Sequence, residues 1–157
     1  MKRIFVIGII STLCLIVSGC SHSTQFFVIN KSLSPIEVEY IVTSDFDPVE
    51  DTQVKPYKMS LFEWDTWLGN KELREVPLSE YEFDAKLHKV KVKLNPNEVL
   101  RVAIALHHES VLPTADYKFP ITSLSLIQDK DQIFYIGKRF YQQFEKKDDN
   151  NYFIAYK

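Results

Sequence analysis

The stretch His88-Lys89-Val90-Lys91-Val92-Lys93-Leu94-Asn95-Pro96-Asn97-Glu98-Val99-Leu100-Arg101-Val102-Ala103-Ile104-Ala105-Leu106 decides the fold class of this chain. Val90, Val92 and Leu94 alternate with three lysines, the period of two shown by a half-buried strand. Asn95-Pro96-Asn97-Glu98 interrupts the run, its proline presetting φ for the second position of a turn. Leu100, Val102, Ile104 and Leu106 supply the next inward face. The pair predicts a β-hairpin.

The same period extends outward in both directions. In Pro35–Thr43, Ile36, Val38, Tyr40 and Val42 share one face while Glu37 and Glu39 share the other. Phe26-Phe27-Val28-Ile29 is an earlier apolar stretch. Strands are predicted at Ile121–Gln128 and Gln132–Gly137, joined by the polar turn Asp129-Lys130-Asp131, and at Tyr152–Tyr156. Gly137–Lys146 carries Phe140 and Phe144 four apart, which suits a helical turn, but its aromatics lean it toward strand. Seven or more short strands without a long helical period predict an all-β fold. The expected architecture is a β-sandwich, immunoglobulin-like or transthyretin-like, with one short helix allowed and a closed barrel as the alternative.

Between Thr43 and Tyr81 the alternation fades, and long irregular insertions carry function disproportionately. Asp45, Asp47, Glu50 and Asp51 could offer oxygens to a cation, but Pro48 stiffens the run and no glycine supplies the sharp turn of a calcium loop. A solvated acidic loop is the expectation. His107-His108-Glu109 follows a strand, where neighbours point to opposite faces, and His88 is the nearest residue that could complete a zinc set. A polar strand end is expected, with no metal and no cofactor. No Gly-x-Ser-x-Gly elbow or Ser-x-x-Lys motif is present, so no catalytic residue is assigned. Leu61-Phe62-Glu63-Trp64-Asp65-Thr66-Trp67-Leu68 is the one aromatic cluster that suggests a binding surface. Read as a strand it turns its tryptophans to opposite faces, one toward the core and one outward. Phe62, Trp64, Trp67 and Leu68 are the candidate partner-binding residues, because exposed tryptophan is enriched at interfaces.

At the N-terminus, Lys2 and Arg3 lead into an apolar run from Ile4 to Val17 that stops at Val17-Ser18-Gly19-Cys20. A basic start, a short apolar segment and small residues before a cut describe a secretory signal. Fourteen residues fall short of the roughly 20 that cross a bilayer. Val-Ser-Gly-Cys resembles the lipobox of bacterial lipoproteins, whose cysteine receives a diacylglycerol before the signal is removed. The resemblance implies that Cys20 is lipidated and heads the mature chain, and that the bilayer is its first partner. Several acyl chains, at about 0.8 kcal/mol per buried CH₂, make such an anchor effectively permanent. Ser21, in place of the aspartate that resembles an inner-membrane retention signal, implies an outer-membrane address facing the periplasm.

Removing residues 1–19 from the 157 leaves 138, enough for one domain. The expected organisation is a cleaved signal (1–19), a short lipidated tether (20–24) and a single sandwich (25–157). Cys14 lies within the signal, so the mature domain has no disulfide and relies on its core. The mature balance, 17 basic against 21 acidic side chains, is a poor footprint for nucleic acid. The resulting expectation is a non-enzymatic envelope lipoprotein that docks an envelope protein through the 45–78 insertion or an exposed sheet edge. The alternatives are a small-molecule, lipid or metal-binding module and an envelope hydrolase. The layout is also similar to small lipoproteins of type VI secretion systems, which join a lipid anchor to a transthyretin-like sandwich.

Overall fold

Phe26, Phe27, Val28 and Ile29 are all buried, so the strand that carries them is covered on both faces. In the structure, a computed structural model describing residues 22–66, 73–107, 119–136, 140–148 and 150–157, this strand is β1 (His22–Asn30). It is followed by β2 (Ile36–Val42), β3 (Tyr57–Ser60), α1 (Leu61–Asp65), β4 (Arg74–Glu75), β5 (Tyr81–Asp84) and β6 (Lys89–Leu94). Then come β7 (Glu98–His107), β8 (Ile121–Gln128), β9 (Asp131–Ile136), β10 (Glu145–Lys146) and β11 (Asn151–Tyr156). One sheet runs β10-β11-β1-β7-β3-β4 and the other β5-β6-β2-β8-β9. The fold is an all-β sandwich, as the alternation predicts. None of the helices among the described residues is long and apolar enough to cross a membrane.

The main core lies between the sheets, where Val38, Tyr40, Val90, Val92, Leu124 and Leu126 face Phe26, Val28, Leu100 and Val102. Phe26 meets Phe119 and Phe144 edge-on at 4.7 and 5.3 Å and stacks on Tyr152 at 5.6 Å. A second cluster, of Phe27, Ile29, Met59, Trp64 and Val99, closes the far side of the six-stranded sheet. The helix that completes it starts at a capping box. Ser60 Oγ accepts from the Glu63 backbone N–H at 3.2 Å, and Glu63 Oε2 accepts from the Ser60 N–H at 2.6 Å.

The hairpin expected at 88–106 is not formed. β6 pairs with β2 and β5, β7 pairs with β1 and β3, and the two belong to different sheets. The turn is an arch that crosses the core, with Asn97 at φ 60° in the left-handed region that asparagine tolerates. Period-two alternation does not distinguish the two outcomes, since Leu94 and Leu100 reach the core either way. The chemistry of the outer faces separates them. The lysines of β6 need a solvated face beside Glu37 and Glu39, whereas β7 is buried on both faces from Val99 to Ala103, Arg101 included, and suits a strand covered twice.

Three smaller expectations are also revised. Residues 22–24 are strand rather than tether, opposite His107, Leu106 and Ala105. Among the described residues of 137–146, Phe140–Gln143 forms a 3-10 turn and only Glu145–Lys146 is strand. The leading part of Leu61–Leu68 is helix, because the capping box overrides the strand reading.

Asn30 ties the sheet crossings together at one end of the sandwich. Its fully buried amide donates to the carbonyls of Ser34 at 2.9 Å and Leu94 at 3.0 Å, and accepts from Ser32 N–H and O–H at 3.0 and 2.8 Å. Its own carbonyl accepts from Asn97 N–H at 2.9 Å. Asn30→Asp loses both donated bonds and sets a carboxylate oxygen against the buried Leu94 carbonyl, at a cost of about 1–3 kcal/mol, while the exposed Ser34 carbonyl keeps the Ser32 hydroxyl. Urea unfolding is expected to show a loss of at least about 2 kcal/mol for Asn30→Asp, and a smaller loss for Ser32→Ala. Equal effects of the two substitutions would refute this role for the amide.

Candidate interaction surface

The outer face of the five-stranded sheet changes character across its width. Register aligns Glu82, Lys91, Glu39, Ser125 and Phe134 in one row, and Asp84, Lys89, Ile41, Ser123 and Ile136 in the next. On the β5, β6 and β2 side the rows are charge ladders. Lys91 Nζ lies 2.9 Å from Glu37 and 3.8 Å from Glu39, and Lys89 Nζ lies 3.3 Å from Glu39. On the β8 and β9 side, buried Ser123 and Ser125 give way to exposed apolar side chains.

β9 is the outermost strand there. It is held to β8 by a two-residue turn whose Asp129 takes φ 51°. Ile133, Phe134 and Ile136 are 44%, 54% and 65% exposed, while Tyr135 packs partly against the core. Among the described residues this is the longest sheet edge without a second neighbour. β4 and β10 have two residues each, and β5 has four. Open edges are normally protected by a lysine, a proline, a bulge or extreme shortness. β9 has none of these within Ile133–Ile136.

The residues singled out in the sequence fall elsewhere. Trp64 is 2% exposed, its ring centre 4.6 Å from that of Phe27 and 6.2 Å from that of Phe153. Lys147 Nζ sits 3.8 Å from the indole centre and donates to the Trp64 carbonyl. Burial lowers the pKa of that ammonium, partly offset by Asp65 and Asp148. Trp64 therefore packs inward and presents no ring to a partner. Phe62, 77% exposed, remains on the surface of α1. Trp67, Leu68, Cys20 and His108 lie outside the described residues.

The acidic insertion is organised by backbone turns. Asp47 Oδ1 accepts from Val49 N–H and Asp51 Oδ1 from Gln53 N–H, each at 2.8 Å. Beyond it, Val54 enters the main core, and its carbonyl accepts from the Tyr40 hydroxyl at 3.0 Å. Burial pushes the Tyr40 pKa far above the ordinary phenol range. Arg101, nearly buried, donates to the Thr52 carbonyl at 3.1 Å and lies 4.0 Å from the Tyr57 ring centre. These contacts hold the insertion in place. No group of three His, Cys, Asp or Glu side chains among the described residues is placed to hold a metal ion. His88 closes the β5–β6 turn at φ 50°, in the other sheet from His107, so it is not on a partner strand of β7.

The β9 surface carried a sequence signal, because Ile133-Phe134-Tyr135-Ile136 is apolar at successive positions where an alternating strand would not be. Only the strand order shows that this run lies at an edge. Compared with protein-family models, with curated proteins and with solved structures, the chain matches none.

The capping box makes α1 sensitive to acid. The Ser60 N–H and then the Ser60 hydroxyl, with a smaller contribution from Arg74, hold the Glu63 carboxyl below its ordinary range. A depressed carboxyl stabilises the fold above its unfolded pKa of about 4.3, and that contribution is lost as pH falls through the folded value. Thermal melts between pH 3 and 6 are expected to show a shallower acid decline for Glu63→Gln than for the wild type. Identical declines would remove Glu63 as a source of the pH dependence.

Proposed function

We propose that this chain is a membrane-anchored envelope lipoprotein, held in the bilayer through acylated Cys20, that acts as a non-enzymatic protein-interaction or assembly module. The observation that carries the interaction reading is the open, apolar edge of β9. Edge strands recruit partners by strand addition, in which main-chain hydrogen bonds provide affinity and alternate side chains provide specificity. Phe134 and Ile136 lie beside small, buried serines, so the outer face there is apolar and low in relief. The exposed Phe62 of α1 is a second contact candidate, and Trp67 and Leu68 follow it in the sequence.

The membrane reading rests on the Val17–Cys20 motif, and the start of β1 sharpens it. β1 begins two residues after Cys20, so the link spans about 7 Å at roughly 3.5 Å per residue. An acylated Cys20 would bring the His22 end of the sandwich down onto the lipid headgroups, with the Asn30 end facing away. β9 would then stand upright beside the membrane, where an envelope partner could reach it. Ser21 favours the outer membrane, facing the periplasm. The likeness to secretion-system lipoproteins is one version of the same reading.

A small-ligand function is the second reading. It is favoured by a cleft of about 360 Å³ lined by Asp45, Phe46, Asp47, Phe83 and His88, among others. The cleft is set among loops and turns and has no enclosed apolar floor of the kind that buries most of a ligand.

Two outcomes test the main proposal. Cys20→Ser is expected to fold but to leave the membrane fraction or to accumulate as an uncleaved precursor, and normal processing with membrane retention would overturn the anchor. Phe134→Lys combined with Ile136→Lys alters exposed positions of the outer face, each worth within about 0.5 kcal/mol. This double variant is expected to melt like the wild type and remain in membranes, but to lose the larger complexes that the wild type is expected to form on native gels of solubilised membranes. Complexes that persist, or a wild type that runs only as a monomer, would overturn the interaction reading.

A further inference from the structure

We propose that the tip of the β5–β6 turn, at Leu87, is a second membrane contact of the acylated domain, dipping into a zwitterionic phospholipid headgroup layer and holding the sandwich upright. The inference rests on the anchor reading and names the residue that completes it.

The position of the turn selects lipid as the occupant. β1 and β6 both run toward the junction where Asn30 Nδ2 donates to the Leu94 carbonyl, so His22 and the β5–β6 turn stand at the opposite end. His22 is eight positions from Asn30, and Leu87 is seven from Leu94. At about 3.4 Å per residue these are roughly 27 and 24 Å from the junction, so Leu87 comes level with the start of β1 to within about one residue. Cys20 precedes His22 by two residues, which keeps this end close to any bilayer that carries its acyl chains. Exposed apolar side chains also stand at the Asn30 end, Leu33 at 98% and Phe62 at 77%, but the short link turns that end away from the lipid.

The turn is built to present Leu87. Asp84 Oδ1 accepts from the Lys86 and Leu87 N–H groups at 2.9 and 3.1 Å. His88 closes the turn at φ 50°, and its carbonyl accepts from Val42 N–H at 2.9 Å. The backbone is therefore fixed on both sides of a leucine that is 54% exposed, with exposed Ala85 and Lys86 before it. A tip already held in one conformation loses little freedom when it enters the headgroups.

Charge decides the kind of surface. Asp84 and Lys86 cancel within the turn, and Asp45 and Asp47 line the adjoining cleft with Ala85 and His88. Among the described residues, this end carries no polybasic footprint of the sort that draws proteins to anionic lipid. A zwitterionic layer accepts the leucine without opposing the carboxylates.

One leucine is too small to hold a free protein on a bilayer, since even a myristoyl chain does so only marginally. Joined to an acyl anchor, the contact becomes intramolecular and needs little affinity of its own. The two attachments leave from different sheets, the link from β1 and Leu87 from the start of β6, and packed sheets lie about 10 Å apart. A single tether lets the sandwich tip. A second point under the other sheet stops it and keeps the β9 edge at a constant height above the lipid.

The test uses the full chain, purified from detergent extracts of the cells that express it and reconstituted in phosphatidylcholine vesicles. Ala85→Cys or Leu33→Cys supplies the one free thiol of the acylated chain for an environment-sensitive fluorophore. Phosphatidylcholine with a nitroxide near its headgroup is the quencher, and flotation reads membrane attachment. The fluorophore in Ala85→Cys is expected to lose most of its emission, and that in Leu33→Cys to keep it. Adding Leu87→Asp to Ala85→Cys is expected to restore the emission while the protein still floats. Quenching that survives Leu87→Asp, equal quenching at both positions, or no quenching in protein that floats would overturn the second contact and leave the anchor standing. Quenching that appears only when phosphatidylglycerol is added would overturn the zwitterionic assignment. Protein that does not float would overturn the anchor reading, and this inference with it.

Discussion

The buried amide of Asn30 is the constraint on which the rest of the sandwich depends. The chain passes between the sheets at this end twice, from β1 to β2 and from β6 to β7. One side chain donates to a carbonyl on each passage, and its backbone oxygen receives Asn97. Buried polar groups in a low-dielectric core are tolerated when every lone pair and proton is used, and both ends of this amide are engaged. The result fixes how far apart the sheets cross and in what register β2 and β7 leave their turns. Leu94 and Leu100 can then face one another across the core rather than lie side by side in one sheet.

From that junction the two sheets have different fates. The central strands β1 and β7 of the six-stranded sheet are buried on both faces, on the inside by its partner and on the outside by the Trp64 cluster under α1. The five-stranded sheet is buried on one face only, and its outer surface divides into a laced Lys–Glu half and an apolar margin. Exposed ion pairs such as these contribute little to stability, about 0–1 kcal/mol each, but they keep that half of the face solvated. The margin at β9 lacks such protection. Among the described residues, exposed apolar side chains of the two sheets are concentrated there.

Much of the candidate surface could be read in the chain, but in separate pieces. The aromatic cluster at 61–68 looks like a docking site because tryptophan is common at interfaces, yet Ser60 and Glu63 fold its start into a helix whose fourth residue, Trp64, is driven into the second cluster. Serine three residues before glutamate was the available signal for that turn. Ile133–Ile136 broke the alternation in plain view, but an apolar run marks a buried central strand as readily as an exposed edge. Sequence periodicity reports which residues share a face and does not report how many neighbours a strand has.

The sequence by itself determined the all-β class and the positions of β2, β6, β8 and β11 to within a residue or two. Side chains alternate across any strand, and that period is a local property of the backbone. It also determined the basic, apolar and Val-Ser-Gly-Cys succession at the N-terminus, since such a motif is read by residue type alone. Only the tertiary structure decided that β6 and β7 part into different sheets, that Trp64 is core and that β9 is an edge. Those outcomes depend on which strands become neighbours, and that choice is made by burial and hydrogen bonding between residues tens of positions apart.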